Sequence, residues 1–213
     1  MSGQAIQRGG VKRADVMTRG RRLEYLTIGW NLLEAVVAIG GGVIAGSSAL
    51  IGFGFDSIIE STSGCALLWR LRSDEDGERR ERIALKLVGG SFLLLGAYVA
   101  FDAGKSLINR EAPDASYIGI GLALSSLVVM PILARAKRRV AASLNSRAMK
   151  ADSRQTDICA YLSAILLGGL LLNALLGWWW ADPVAALVMV PIIVKEGIQA
   201  LRGETCCGDG DCH

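Results

Sequence analysis

Two acidic residues four positions apart, Asp56 and Glu60, stand inside an otherwise apolar stretch of the chain. On a helix, residues four apart project from the same face, with their Cβ atoms about 6 Å apart. Two ionised carboxylates at that separation repel each other in a low-dielectric setting. The pair is tolerable when one acid is protonated or when a divalent cation lies between the two. The spacing therefore predicts a site for a cation or for protons.

Other polar residues near apolar stretches extend this candidate metal site. Asp157 would supply a third carboxylate, and Asp152 or Ser153 would complete the coordination through an oxygen. Asn31 and Glu34, three residues apart, are candidates for supporting the site or for relaying protons. A helix-start carboxylate at the positive end of the helix dipole is the alternative role for Asp152. A packing hydrogen bond is the alternative for Glu34.

The end of the chain carries a second set of metal-binding residue types. Three thiols and the only imidazole stand there among glycines: Cys206, Cys207, Cys212 and His213. Thiolate and imidazole are donors that hold Zn²⁺ or Cd²⁺. Their spacing fits no zinc finger, and a disordered tail loses conformational entropy on binding. Contact with a metal and its absence therefore remain equal alternatives for this tail.

Blocks of about 20 apolar residues position these side chains, and that length spans the hydrocarbon core of a bilayer as a helix. Apolar residues make up 52% of the chain, and the blocks cover 24–45, 48–69, 84–104, 116–135, 157–179 and 182–201. A soluble domain would instead distribute its apolar residues at a helical or strand period. The pattern predicts an all-α membrane protein, a bundle of six transmembrane helices.

Membrane burial raises the significance of the acids. An ionised side chain near the bilayer centre costs at least about 2.5–3.5 kcal/mol on insertion scales, so each such residue is a functional hypothesis. No Lys or Arg lies in the middle of a predicted span to act as a counter-ion. This absence favours a cation or proton site over a structural salt bridge.

The Lys and Arg distribution predicts the orientation of the bundle. Of 23 such residues, only Lys105 and Arg110 fall on the side opposite the two termini. Because cytoplasmic loops carry the excess of positive charge, both termini are predicted to be cytoplasmic. The net charge of +3 then follows from orientation, and no nucleic-acid partner is expected. The inner connections, 70–86 and 135–154, are predicted to be long and charged, and the outer ones, 46–48 and 180–182, very short.

The predicted organisation has three parts. A basic cytoplasmic tail covers 1–22, the six-helix domain covers 23–202, and a cytoplasmic Cys- and His-rich tail covers 203–213. No soluble C-terminal domain is expected, since about 12 residues follow the last span.

Two stretches resemble the transmembrane part of the cation diffusion facilitator (cation efflux) family. The first, Gly46-Ser-Ser-Ala-Leu-Ile-Gly-Phe-Gly-Phe-Asp56-Ser-Ile-Ile-Glu60-Ser, is similar to the family pattern Ser-x-Ala-Leu…Asp-Ser-x-x-Asp. The second comprises Ala151-Asp152-Ser…Thr156-Asp157 and Ala181-Asp182-Pro183-Val184-Ala185-Ala186, which are similar to the family's fifth span and the turn into its sixth.

The resemblance implies a homodimer that exports a divalent metal across the bacterial inner membrane in exchange for protons, by alternating access and without a prosthetic group. Asp56 takes the family's first acidic position, Glu60 the second, where Asp is usual, and Asp157 the acid of span 5. The family's His falls on Ser153, which is a poor metal ligand. Zn²⁺ is the leading ion, and Cd²⁺, Co²⁺, Fe²⁺ and Mn²⁺ are alternatives.

Two other function classes compete with transport. A membrane metal-binding or adaptor protein would modulate a partner without moving ions, and the missing His favours it. A membrane enzyme is the weakest alternative, because no nucleophile with a neighbouring base stands out in the spans. We therefore expect no enzymatic activity.

Overall fold

The computed structural model describes residues 2–70, 77–110, 113–144 and 147–202. Within these ranges the chain is all-helical and contains no strand, which confirms the all-α part of the predicted fold class. The six helices are α1 Ser2–Ala45, α2 Ser48–Arg70, α3 Gly77–Asn109, α4 Tyr117–Leu144, α5 Arg147–Leu176 and α6 Ala181–Arg202.

Five of these helices are long and apolar enough to cross a membrane. Within the described ranges they are Asp15–Ala45, Gly89–Asn109, Tyr117–Leu144, Asp152–Leu176 and Ala181–Arg202. The remaining helix, α2, is not among them, and its apolar stretch is interrupted by Asp56, Glu60 and several hydroxyl side chains. Length and composition therefore support five of the six predicted spans.

The helices run beyond the predicted apolar blocks. α1 begins at Ser2, so the segment predicted as a basic tail continues the first helix. α4 extends to Leu144 and α5 begins at Arg147, so the connection predicted over 135–154 is almost entirely helical. Hydropathy marks only the part of a helix that faces hydrocarbon, whereas backbone hydrogen bonding continues past that boundary.

The two predicted short hairpins are present. Gly46 and Gly177 end α1 and α5 with φ of 66°, a left-handed conformation that glycine adopts without strain. α1 packs on α2, and α5 packs on α6. We call the end of the bundle that holds residues 46–47 and 177–180 the turn end.

Hydrogen bonds join the two hairpins at the turn end. The Ser47 hydroxyl donates to Asp182 Oδ1 at 2.5 Å, and the Ala49 backbone N–H donates to Asp182 Oδ2 at 3.4 Å. Ser47 also caps α2 by accepting a hydrogen bond from the Leu50 backbone N–H at 3.1 Å. A carboxylate of α6 thus supports the first turn of α2.

α2 occupies the interior of the bundle, where it contacts α1, α3, α5 and α6. α4 packs against α1 and α5, and α3 packs against α6. The α3–α6 contact is close because a Cβ on Gly89 would lie 2.8 Å from the carbonyl oxygen of Gly197. Small residues allow this backbone approach, as is usual between membrane helices.

Candidate cation site

The centre of α2 carries the acidic pair that the sequence singles out. Asp56 is 4% exposed and Glu60 is 2% exposed. Glu60 lies twelve residues from Ser48, so it is about 18 Å along the helix and close to its midpoint. The two acids, together with the buried Ser57, face the interior of the bundle. The predicted shared face of Asp56 and Glu60 is thus a buried polar face.

α1 adds a third buried acid beside this face. Glu34 is fully buried, accepts a hydrogen bond from Trp30 Nε1 at 2.5 Å and accepts one from the Ser57 hydroxyl at 3.3 Å. Asn31 is also fully buried, and neither polar atom of its side chain has a hydrogen-bond partner. Glu34 therefore adjoins the acidic pair through Ser57, and its predicted role in support or proton relay remains a prediction.

α5 meets the acidic pair with Thr156 and Cys159. The Thr156 hydroxyl donates to Glu60 Oε1 at 2.8 Å, while Glu60 Oε2 is buried without a partner. The Cys159 thiol adjoins the Glu60 carboxyl group. Neither residue was among the predicted ligands. Their positions four residues and seven residues after Asp152 were the available signal, because such spacing lies along one helix face.

Asp157, the predicted third carboxylate, lies in a different environment. It follows Thr156 by one residue and so projects about 100° away around α5. Its Oδ2 accepts a hydrogen bond from Arg138 Nη1 of α4 at 2.5 Å, and its side chain is 26% exposed. The structure does not bring Asp157 together with Asp56 and Glu60. This contact was not predicted, because residues 135–154 were assigned to a charged connection, whereas Arg138 lies on α4.

Asp152 belongs to a buried ion-pair network with residues that the sequence analysis missed. Lys137 Nζ lies 2.5 Å from Asp152 Oδ2 and 3.1 Å from Glu24 Oε2, and all three side chains are buried. We call these three residues the charged trio, and the end of the bundle that holds them the charged end. Lys137 lies on the buried stripe of α4 with Met130, Ala134 and Ala141, and this periodicity was the signal that would have revealed it.

Ser153, at the position where the resemblance would put a His, forms a hydrogen bond within its own helix. Its hydroxyl donates to the backbone carbonyl of Lys150 at 2.7 Å. The predicted tail ligands Cys206, Cys207, Cys212 and His213 lie outside the described residues.

The buried polar groups around the acidic pair do not form an assembled metal site in this conformation. We call them the polar core: Asp56, Glu60, Ser57, Glu34, Asn31, Thr156 and Cys159. Considering only the described part of the chain, no three carboxylate, thiol or imidazole groups converge closely enough to hold one ion. The core instead offers two adjacent acids, a third acid on α1, a thiol, hydroxyls and unpartnered polar atoms. Side chains have to move before several of these groups reach a common cation.

Comparison with known proteins shows which family the chain resembles. The family model described as "Cation efflux transmembrane domain" matches residues 25–204. The cation-efflux pump FieF of Shewanella oneidensis is 30% identical over 113 residues, covering 53% of this chain and 36% of that protein. Transmembrane protein 163 of Xenopus laevis is 24% identical over 182 residues, covering 84% and 65% respectively.

A third relative is the manganese efflux system protein MneS of Bacillus subtilis. It is 25% identical over 194 residues, which cover 87% of this chain and 67% of that protein. The chain thus spans about two thirds or less of the length of these relatives.

Proposed function

The chain belongs to the cation efflux family through its transmembrane domain, and we propose that it exports a divalent metal cation across the bacterial plasma membrane. In this proposal the ion leaves in exchange for protons, and rocking of the helices exposes the site to each side of the membrane in turn. Zn²⁺ is the proposed cargo. The printed name of one relative refers to manganese, so Mn²⁺ belongs in any panel of test ions.

The observation that carries this proposal is the acidic pair at the centre of α2. Asp56 and Glu60 are both buried, and no Lys or Arg within the described ranges forms an ion pair with either. Burying two acids side by side is expensive unless a charge compensates them. In a transport cycle the metal cation supplies that compensation in one half, and bound protons supply it in the other.

The proposal includes six transmembrane spans with both termini in the cytoplasm. In support, α2 is enclosed by four other helices, so its polar face contacts protein and not lipid. Its large exposed side chains, Phe55, Ile58 and Trp69, are apolar. The Lys and Arg asymmetry supports a cytoplasmic charged end. Reporter fusions at each connection test this topology. The proposal also includes a homodimer, and the mass of the protein in lipid nanodiscs tests it.

Metal flux into proteoliposomes tests the function. With a pH gradient and a fluorescent Zn²⁺ indicator inside the vesicles, we expect the wild-type protein to accelerate Zn²⁺ entry. Asp56→Ala and Glu60→Ala should reduce that flux to the level of protein-free vesicles. Asp114→Asn is the matched control, because it removes an exposed carboxylate near the turn end. Unchanged flux in either α2 variant would contradict the site assignment.

One observation favours a second function, metal binding without transport. In the described part of the chain no three ligand groups converge on one point. A protein that binds metal without transporting it needs no such preformed transport site. This alternative predicts that purified protein binds Zn²⁺ stoichiometrically while the vesicles show no flux. The same preparation, assayed for binding and for flux, separates the two functions.

A further inference from the structure

Cys159 lies near the middle of α5, at the level of the acidic pair. It is 1% exposed, and its thiol lies beside the Glu60 carboxyl group, whose Oε1 accepts a hydrogen bond from the Thr156 hydroxyl at 2.8 Å. Cys159 follows Thr156 by three residues, so both project from the face of α5 that meets α2. That face therefore presents a hydroxyl and a thiol to the acids.

Asp157 is not on this face. It lies about 160° around the helix from Cys159, and Arg138 occupies its carboxylate. A cation held between α2 and α5 would meet the thiol of Cys159 before it met the carboxylate of Asp157.

Unpartnered polar atoms mark the same region. Glu60 Oε2 is buried without a hydrogen-bond partner, and so are both polar atoms of the Asn31 side chain. Asn31 lies at the level of Glu60, because α1 and α2 are antiparallel and Glu34 contacts Ser57 one turn away. Buried polar groups normally have partners, and each one without a partner is unfavourable. A cation beside Glu60 and Asn31 would satisfy their oxygens.

We propose that Cys159 binds the transported cation together with Asp56 and Glu60, and that its sulfur makes the site select thiophilic divalent ions, Zn²⁺ and Cd²⁺, over Mn²⁺. This inference rests on the proposed function, since it names the ligands and the substrate class of the same site. Thiolate sulfur favours Zn²⁺ and related soft ions, whereas purely carboxylate and carbonyl donors suit Mn²⁺. The thiol releases its proton when the metal binds.

The competing role for a buried cysteine is that of a small apolar side chain. The surroundings of Cys159 argue against it, because the buried residue lies one turn from Thr156, whose hydroxyl binds Glu60 at the polar centre of the bundle. Convergence of the ligands requires side-chain movement, because no three such groups already converge among the described residues. Cys159 turns about one bond, and Glu60 has a free oxygen and three rotatable bonds with which to approach it.

A protein in which Cys159 is the only cysteine tests the ligand directly. The full chain contains five cysteines, so the substitutions Cys65→Ser, Cys206→Ser, Cys207→Ser and Cys212→Ser leave Cys159 alone. X-ray absorption spectroscopy of this protein with one equivalent of Zn²⁺ should reveal a sulfur neighbour at about 2.3 Å. A shell of oxygen and nitrogen neighbours only, at about 2.0–2.2 Å, would overturn the proposal.

A second measurement addresses selectivity. In vesicles, Cys159→Asp should lower the ratio of Cd²⁺ to Mn²⁺ flux by at least about tenfold, a loss of the size seen even when groups that merely support a ligand are changed. Cys65→Ser is the matched control, since Cys65 is an exposed residue of α2. An unchanged flux ratio in Cys159→Asp would contradict the role in selectivity.

These measurements separate the ligand from the function. Flux that depends on Asp56 and Glu60, combined with a Zn²⁺ ion that has no sulfur neighbour, would reject Cys159 and leave transport standing. Sulfur ligation without flux would reject transport and leave the ligand standing. A single-cysteine protein that binds no Zn²⁺ would contradict the inference outright.

Discussion

The buried acids of this protein fall into two regions that differ in whether a buried cation forms ion pairs with them, although Lys137 also donates a hydrogen bond to Thr156, the residue that binds Glu60. In the charged trio, Glu24 and Asp152 both contact Lys137, and all three side chains are buried. In the polar core, about 15 Å away along α1, Glu34 adjoins Asp56 and Glu60, with hydroxyls and a thiol around them. Both regions hold buried oxygens without a hydrogen-bond partner, but only in the first does a Lys side chain form ion pairs with the acids.

We propose that this difference distinguishes structural acids from functional ones. A carboxylate that the protein itself neutralises stabilises the packing of the helices that carry it, here α1, α4 and α5. A carboxylate that forms no ion pair with Lys or Arg is available to bind a metal cation or a proton. The two regions should therefore respond in opposite ways to neutral substitutions.

The largest effect is expected in the charged trio. Lys137→Met leaves Glu24 and Asp152 without their cation in the interior, so the free energy of unfolding should fall by about 3–5 kcal/mol. Unfolding of the purified protein in detergent, followed by circular dichroism against denaturant, measures this loss.

A compensated variant provides the control for that prediction. The triple substitution Glu24→Leu, Lys137→Met, Asp152→Leu removes all three charges, and buried ion networks replaced in this way often lose little stability. It should recover most of the loss. If the triple variant were as unstable as Lys137→Met, the instability would not arise from uncompensated charge.

The polar core should show an intermediate effect, confined to binding. Glu60→Gln keeps an oxygen for Thr156 and removes a buried carboxylate, so the free energy of unfolding should change by less than about 1.5 kcal/mol, the net value of one hydrogen bond. Zn²⁺ affinity, measured by calorimetry, should fall by at least about tenfold. A large loss of stability with unchanged affinity would instead make Glu60 a structural residue like Asp152.

The smallest effect is expected at Asp157. Its ion pair with Arg138 is partly exposed, so Asp157→Asn should change the free energy of unfolding by no more than about 1 kcal/mol. Zn²⁺ affinity should stay close to the wild-type value, because Asp157 faces away from the acidic pair. A loss of affinity as large as that of Glu60→Gln would restore Asp157 to the site and displace Cys159 from it.

The sequence was sufficient to predict the helical class, the two tight turns and the burial of Asp56 with Glu60. Each of these follows from a local rule: the length of an apolar block, a glycine at the end of a helix, or two acids four residues apart. Glu34 was likewise identified, because an acid inside an apolar block is noticeable in the sequence whichever direction its side chain faces.

The partners of α5 and α4 were not predictable in the same way. Whether Asp157 or Cys159 faces α2 depends on the rotation of α5 about its axis, which is set by its contacts with three other helices. Lys137 was hidden for a related reason. It lies beside Arg138 and Arg139, so a count of charges assigns it to a solvated connection, and only the packing of α4 separates the buried cation from its neighbours.

The hydrogen bonds of Asp182 at the turn end have a mechanical consequence. They join the first turn of α2 to the first turn of α6. In the proposed transport cycle, opening the polar core from the turn end by separating these two turns would break both hydrogen bonds, whereas opening it from the charged end would leave them intact. Ser47 and Asp182 would therefore oppose opening at the turn end alone.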